Sequence, residues 1–160
     1  MGPQELTNLL WREREMLDLL IFKLEEESLI LTSGQTRWLD HAAREVEQVT
    51  LRLRDATLQR SVAAAAVATA WGLADDAGLP ELAAAAPEGP WQEILIDHHR
   101  ALTAQVAEAG GLRDTNLQFL RGGLRSTQDT LATLVPEAGT YDHTGHTSQE
   151  GASRFLDRSV

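Results

Sequence analysis

Two ladders of apolar residues, each with a seven-residue interval, open the chain and are separated by a short break. The first ladder consists of Leu10, Leu17, Leu24 and Leu31. The second consists of Leu39, Val46 and Leu53, with Ala42, Val49, Ala56 and Ala63 offset by three residues. Because seven residues make nearly two helical turns, each ladder predicts a helix with one apolar stripe turned towards a partner helix. The break at Ser33-Gly34 is so short that the second helix is expected to pack antiparallel on the first.

The positions of proline and glycine divide the rest of the chain into a corner, a third helix and a tail. The helical hairpin is predicted over residues 3–72, and the corner over residues 73–90, where prolines and glycines cluster. A third long helix is predicted over residues 91–135, which completes one helical domain at residues 1–135. Residues 136–160 are polar and lack a sustained apolar period, so we expect a flexible C-terminal tail.

Within the hairpin, the first helix is predicted from about Pro3 to Leu31 and the second from about Thr36 to Trp71. Proline is tolerated in the first turn of a helix, which suits the proposed start. The expected fold is therefore all-α, an antiparallel helical bundle with a long coiled-coil-like hairpin.

The third helix carries a pair of glycines near its middle. Gly110 and Gly111 are expected to weaken or kink it, because a helical glycine costs about 1 kcal/mol relative to alanine. Leu102 and Leu117 are fifteen rather than fourteen residues apart, so the apolar stripe is expected to change register across the glycines. The leucines beyond the glycines are Leu117, Leu120, Leu124, Leu131 and Leu134. They could close the bundle or bind another helix, and the spacing alone leaves both interpretations open.

Composition and charge exclude several classes of function. The formal net charge of −10 argues against nucleic acid or an anionic membrane as the main partner, since both favour a basic surface. The chain has no cysteine, which excludes disulfides, thiolate metal sites and cysteine nucleophiles. It also lacks an apolar run of about 20 residues that would insert in a membrane. The start of the chain does not resemble a signal peptide, so a cytoplasmic location is expected.

No set of residues predicts catalysis, a cofactor or a metal. A nucleophile with its base and orienting group is not visible, and Lys23 is the only lysine. His143 and His146, beside Asp142, are the best candidates for metal ligands. A segment rich in glycine and threonine does not preorganise them, so we expect no metal there. His98 lies on the apolar stripe of the third helix and is expected to be a packing residue.

Two further groups of side chains have a structural and a functional interpretation. The four tryptophans are predicted to anchor helix junctions, with exposed contact sites for a helical partner as the alternative; they are Trp11, Trp38, Trp71 and Trp91. The acidic run Glu25-Glu26-Glu27 is predicted to form a solvated face of the first helix.

Short segments in a fixed order along nearly the whole chain carry a family resemblance. In the hairpin they are Leu17-Leu19-Leu20-Phe22-Lys23-Leu24-Glu25-Glu26-Glu27, Leu31-Thr32-Ser33-Gly34, Arg37-Trp38-Leu39 and Glu45-Val46-Glu47. Farther along they are Arg60, Gly72-Leu73, the corner from Ala86 to Trp91, the stretch from Asn116 to Leu131, and Tyr141-Asp142-His143-Thr144-Gly145 with Asp157-Arg158. By their order and spacing the chain resembles the FlgN class of flagellar export chaperones, in particular its actinobacterial-like members.

The resemblance implies a cytoplasmic, non-enzymatic chaperone for the hook-associated proteins, which form the hook–filament junction. Such a chaperone covers the amphipathic terminal helices of these proteins and delivers them to the flagellar type III export gate. Burial of an apolar helix stripe in a groove is a physically suitable mode of binding. The resemblance further implies that the C-terminal helical region binds the substrate protein, here through Leu117, Leu120, Leu124, Leu131 and Leu134. It also implies Tyr141 as a contact for the export gate.

Two other classes of function compete with the chaperone. The ladders could belong to a non-enzymatic coiled-coil adaptor or dimerisation module with no export role, and a homodimer is left open in either case. A helical enzyme with a hidden metal site is the third hypothesis.

Overall fold

The structure, a computed structural model, describes residues 2–134, and this part of the chain is built from helices without a strand. The expected all-α fold is confirmed. The elements in chain order are α1 (Pro3–Ser33), a 3₁₀ turn (Thr36–Trp38), α2 (Leu39–Ala70), α3 (Leu79–Ala84) and α4 (Trp91–Leu134). The predicted tail, residues 136–160, lies outside the described residues. Among residues 2–134, no helix combines the length and the apolar character needed to cross a membrane.

A tight turn at Gly34 joins the two helices of the hairpin. Gly34 has a φ of 72° and donates its backbone N–H to the carbonyl oxygen of Leu31 at 3.4 Å, which ends α1. Glycine adopts this left-handed conformation without the penalty that a Cβ atom would bring. The 3₁₀ turn follows at once and leads into α2, so the chain reverses within a few residues. The predicted antiparallel hairpin is confirmed.

Leucines of α1 and small residues of α2 form the seam of the hairpin. The buried residues of this seam are Leu10, Leu17, Leu20 and Leu24 on α1 and Ala42, Val49, Ala56 and Ala63 on α2. The larger residues of the second ladder, Leu39, Val46 and Leu53, are only half-buried. Alanine brings the two helices close together, so the offset alanine line lies deeper in the interface than the leucine–valine line.

A corner with a short helix closes one end of the bundle. Gly72, with a φ of 75°, ends α2, and the backbone N–H of Leu73 bonds to the carbonyl of Ala68 at 2.9 Å. At the start of α3 the carboxylate of Glu81 accepts the backbone N–H of Gly78 at 2.7 Å. The buried residues of α3 then join the main apolar cluster, which contains Leu6, Leu10, Ala63, Ala64, Val67, Ala68, Leu79, Leu82, Ala83 and Leu95.

The part of α4 up to residue 121 packs along the hairpin in the same direction as α1. Near its start Leu95 joins the cluster around Leu6 and Leu10. Farther along, Asn116 bonds to the carbonyl of Leu24 at 2.9 Å. The start of α4 thus contacts the start of α1, and later residues of α4 contact later residues of α1. The two helices are therefore parallel, and α4 is antiparallel to α2. These elements make a three-helix bundle with up–down–up connectivity.

Backbone contacts divide the chain into two units, the first ending at Arg121 and the second beginning at Gly122. The first unit contains the three-helix bundle. In the second, the described residues 122–134 are helical and all of their side chains are exposed.

The predicted change of register at Gly110-Gly111 is wrong. Helix α4 is continuous through both glycines. Its inward residues keep a spacing of three and four throughout, and they are Leu95, His98, Leu102, Gln105, Ala109, Leu112 and Asn116. The predicted change of register was based on the interval between two leucines, Leu102 and Leu117. In the structure Gln105 and Asn116 also face inwards, because their amide groups find hydrogen-bond partners on α1.

Candidate functional site

The leucines predicted to bind a substrate protein are all exposed. In the first unit, Leu117 and Leu120 are 40% and 36% exposed. In the second unit, Leu124, Leu131 and Leu134 are 56–71% exposed. None of the five belongs to the two buried apolar clusters of the described chain. Apolar side chains left in water on a helix are a source of binding free energy for a partner that covers them.

Asn116 is the last buried residue of α4. It is 1% exposed, and its amide group donates to the carbonyl of Leu24 at 2.9 Å and to the Glu27 carboxylate at 3.1 Å. Leu117 follows directly and is rotated by about 100° around the helix. Leu117 therefore lies off the line of the inward residues and is 40% exposed.

The prediction that Glu25-Glu26-Glu27 is a solvated face is wrong for its last member. Glu27 is buried and accepts the hydrogen bond from Asn116. Leu20, Leu24 and Glu27 have the spacing of one helix face, so this spacing in the sequence already indicates that Glu27 lies on the buried face.

A second glutamate occupies the same stripe of α1 and ties it to α2. Glu13 is buried between Leu10 and Leu17 along the stripe. Its carboxylate accepts hydrogen bonds from Arg60 Nε at 2.8 Å and Nη2 at 3.3 Å, and from Thr57 Oγ1 at 2.8 Å. A charge-assisted pair of this kind satisfies a buried carboxylate and fixes the alignment of the two helices.

The only lysine holds the other end of the hairpin. Lys23 Nζ lies 2.8 Å from Glu26 and 2.7 Å from Glu45, whose second oxygen contacts His41 at 3.2 Å. Hydrogen bonds to Glu26 and then to Glu45 raise the pKa of Lys23, and the bond from Lys23 lowers the pKa of Glu45. An amine whose pKa is raised stays protonated at neutral pH, so this lysine is not poised for nucleophilic chemistry.

The tryptophans divide between the two interpretations. Trp71 and Trp91 are half-buried at helix junctions, and Trp71 packs against the main apolar cluster. Trp38 and Trp11 are about half exposed. Trp11 does not lie at a helix end but within α1, beside α4.

Trp11 forms one wall of a groove between α1 and α4 in the first unit. Its ring meets the His98 ring edge-on with centroids 5.0 Å apart, and the Arg14 guanidinium lies 4.3 Å from its ring centroid. Arg14 Nη1 is also 3.5 Å from His98 Nδ1. The groove encloses about 620 Å³, and its lining residues are Thr7, Trp11, Arg14, Ile94, Asp97, His98, Arg100, Ala101 and Ala104.

His98 forms the floor of the groove and is almost fully buried, which confirms it as a packing residue. Burial lowers the pKa of His98, and the charge of Arg14 on α1 lowers it further, while Asp97 on the same helix acts in the opposite direction. The imidazole is therefore neutral at neutral pH, and its edge-on contact with Trp11 involves no charge on the histidine.

A histidine that is buried in the neutral form predicts a loss of stability at mildly acidic pH. Above about pH 6.5 the imidazole is neutral in the folded and the unfolded chain alike. Below about pH 6.5 the unfolded chain binds the proton more readily than the folded chain, so the free energy of unfolding falls as the pH is lowered. We expect urea denaturation between about pH 7.5 and about pH 5.5 to show the wild type losing stability relative to His98→Gln. A difference between the two proteins that does not vary with pH would contradict the assignment.

The described residues hold no group of three or more histidine, aspartate or glutamate side chains that could bind a metal ion. Two predicted features lie outside the described residues: Tyr141, as the export-gate contact, and the His143, His146 and Asp142 group, as metal ligands that we did not expect to function.

Comparison with known proteins gives one match. The family described as FlgN protein matches residues 1–149 of this chain, almost its whole length. Neither a curated protein nor a solved structure gives a significant match.

Proposed function

The chain belongs to the FlgN family of flagellar export chaperones, and we propose that it binds the amphipathic terminal helices of hook-associated proteins in the cytoplasm. By covering these helices it keeps the hook-associated proteins soluble and delivers them to the export gate. The family is one of chaperones and not of enzymes, and the groups that line the bundle act as structural ties.

The observation that carries the proposal is the exposure of the leucines on α4. Leu117 and Leu120 in the first unit, and Leu124, Leu131 and Leu134 in the second, offer apolar area that the described part of the chain does not cover. A terminal helix that later packs into a filament has a matching apolar stripe, and pairing the two stripes removes both from water.

The charges near these leucines favour a partner with acidic residues beside its apolar stripe. Arg121 closes the first unit and Arg125 lies in the second, and both are exposed without an ion pair among the described residues. Such rim charges speed up association and select the orientation of the partner more than they add affinity.

Complex formation with purified proteins tests the proposal. We expect the full chain to form a stable 1:1 complex with a hook-associated protein on size-exclusion chromatography with light scattering. A hook-associated protein that lacks its terminal helices should not bind. A tight self-dimer that ignores hook-associated proteins would instead support the coiled-coil adaptor.

Delivery to the export gate is the second half of the proposal, and Tyr141 is its candidate contact. The support for it is the family resemblance and the position of this tyrosine, the only one in the chain, in a polar segment. A Tyr141→Ala variant that binds hook-associated proteins normally, but fails to bring them to the gate, is the expected phenotype.

A further inference from the structure

The groove at Trp11 has the features of a second protein-binding site, separate from the leucines of α4. We propose that it binds an amphipathic helix of a partner protein that inserts one large apolar side chain beside Trp11 and places a carboxylate on Arg14. The proposal concerns the first unit alone and does not depend on the binding of hook-associated proteins.

The shape of the groove fits a helix. Its lining residues recur at intervals of three and four on both of its walls, with Thr7, Trp11 and Arg14 on α1 and Ile94, Asp97, Ala101 and Ala104 on α4. Two walls of this kind, on helices that run in the same direction, leave a gap into which the side chains of a third helix can interdigitate. The small side chains of α4 make room opposite Trp11 for a residue of the size of leucine or phenylalanine.

The large apolar side chain at the rim of the groove is exposed and has two neighbours. Trp11 is 51% exposed, and its ring contacts the Arg14 guanidinium and the His98 ring. Contacts that restrict a side chain before binding reduce the conformational entropy that it loses in a complex. Tryptophan and arginine are also the residues on which binding free energy concentrates in protein interfaces.

The charge of the groove selects an acidic partner. Arg14 has no carboxylate partner among residues 2–134, and its buried Nε atom has no hydrogen-bond partner in that range. Arg100, by contrast, is paired with Asp97 at 3.3 Å. An unneutralised guanidinium in a chain with a net charge of −10 is a local attraction for a carboxylate.

Two alanine-based helical peptides of equal length serve as probes. One carries phenylalanine and glutamate four residues apart, and the other carries phenylalanine and lysine at the same positions. With ¹⁵N-labelled full-length protein, we expect the glutamate peptide to shift the indole N–H resonance of Trp11 and the amide resonances of Ala101 and Ala104. These shifts should saturate as the peptide concentration is raised. The lysine peptide should bind at least about tenfold more weakly, the size of effect of one charge-assisted hydrogen bond.

Two variants on α4 make the test specific. Ala104→Glu fills the groove and places a carboxylate near Arg14, so it should abolish the shifts. Thr103→Glu adds the same charge about 100° around the helix, at a position that does not line the groove, and should leave them intact. Both positions are exposed, and glutamate is a good helix former, so both variants should fold. The proposal is overturned if neither peptide shifts these resonances at millimolar concentration or if both bind equally. It is also overturned if Ala104→Glu has no effect, or if a second copy of the chain occupies the groove at the protein concentration used.

Discussion

Replacing two exposed leucines of α4, in the variant Leu124→Asp with Leu131→Asp, is expected to abolish capture of hook-associated proteins. Burial of one leucine side chain contributes about 1.5–3 kcal/mol, so loss of two such contacts lowers the affinity by at least about 100-fold. Two carboxylates that must then be desolvated against the apolar stripe of the partner add to the loss. Isothermal titration calorimetry with a purified hook-associated protein measures the effect.

The same variant should keep its fold. Leu124 and Leu131 are exposed in the second unit, so the aspartates face water in the free protein. Helicity by circular dichroism should stay close to that of the wild type, apart from the weak helix propensity of aspartate. Loss of the overall fold would show that the leucines belong to a core.

A matched control carries the same two charges on the opposite face of the same segment. Ser126→Asp with Thr133→Asp places them about 180° around the helix from the leucine stripe, at exposed positions. We expect this control to bind like the wild type. Equal loss in both variants would mean that helix destabilisation or total charge, and not the leucine contact, is responsible.

The second large effect is expected at the buried ion pair between α1 and α2. Arg60→Ala leaves the Glu13 carboxylate buried without its cation, and removing one partner of a buried pair typically costs 3–5 kcal/mol. The Arg60 side chain is 25% exposed, so water can reach part of the site, and we expect about 3 kcal/mol. For a domain of this size the thermal midpoint should fall by about 10 °C, measured by circular dichroism.

Removal of both charges should be far less harmful than removal of one. Glu13→Leu with Arg60→Met replaces the pair by apolar side chains of similar size, which is often neutral or stabilising. Thr57 loses its acceptor on Glu13 in this variant, but its hydroxyl can bond to the carbonyl one turn earlier in α2. A double variant as unstable as Arg60→Ala would show that the pair stabilises the fold by more than the mutual neutralisation of its two charges.

An exposed ion pair on α2 provides the control for this comparison. Arg44 lies 3.1 Å from Asp40, one turn away, and both side chains are well exposed. Arg44→Ala should change the free energy of unfolding by no more than about 0.5 kcal/mol. A change comparable with that of Arg60→Ala would refute burial as the cause of the difference.

Different parts of the third helix were predictable to different degrees. Its start and the positions of its leucines followed from the sequence, because proline and glycine mark the corner and apolar spacing marks a helix. The full inward face did not follow, because Gln105 and Asn116 face inwards and polar residues do not contribute to an apolar pattern. A buried amide is tolerated only where the neighbouring helix offers a partner, and that partner is not visible along the chain.

The candidate sites show the same limit. The leucines of α4 were recognisable by their spacing, but their exposure depends on which residues of other helices lie against them, and the spacing along one helix does not show this. The tryptophans were all predicted as junction anchors with exposure as the alternative. Only the neighbours of Trp11, which are Arg14 on its own helix and His98 on α4, distinguish it from Trp71.

The sequence by itself determined the helical hairpin of this chaperone, because heptad spacing and a left-handed glycine turn are local properties of consecutive residues. The tertiary structure alone decided which polar residues are buried and which apolar residues remain in water. Glu13, Glu27 and Asn116 lie inside because each meets a hydrogen-bond partner from another helix. The free-energy cost of burying a polar group depends on whether that partner is present. The apolar pattern of a single helix carries no information about a partner on another helix.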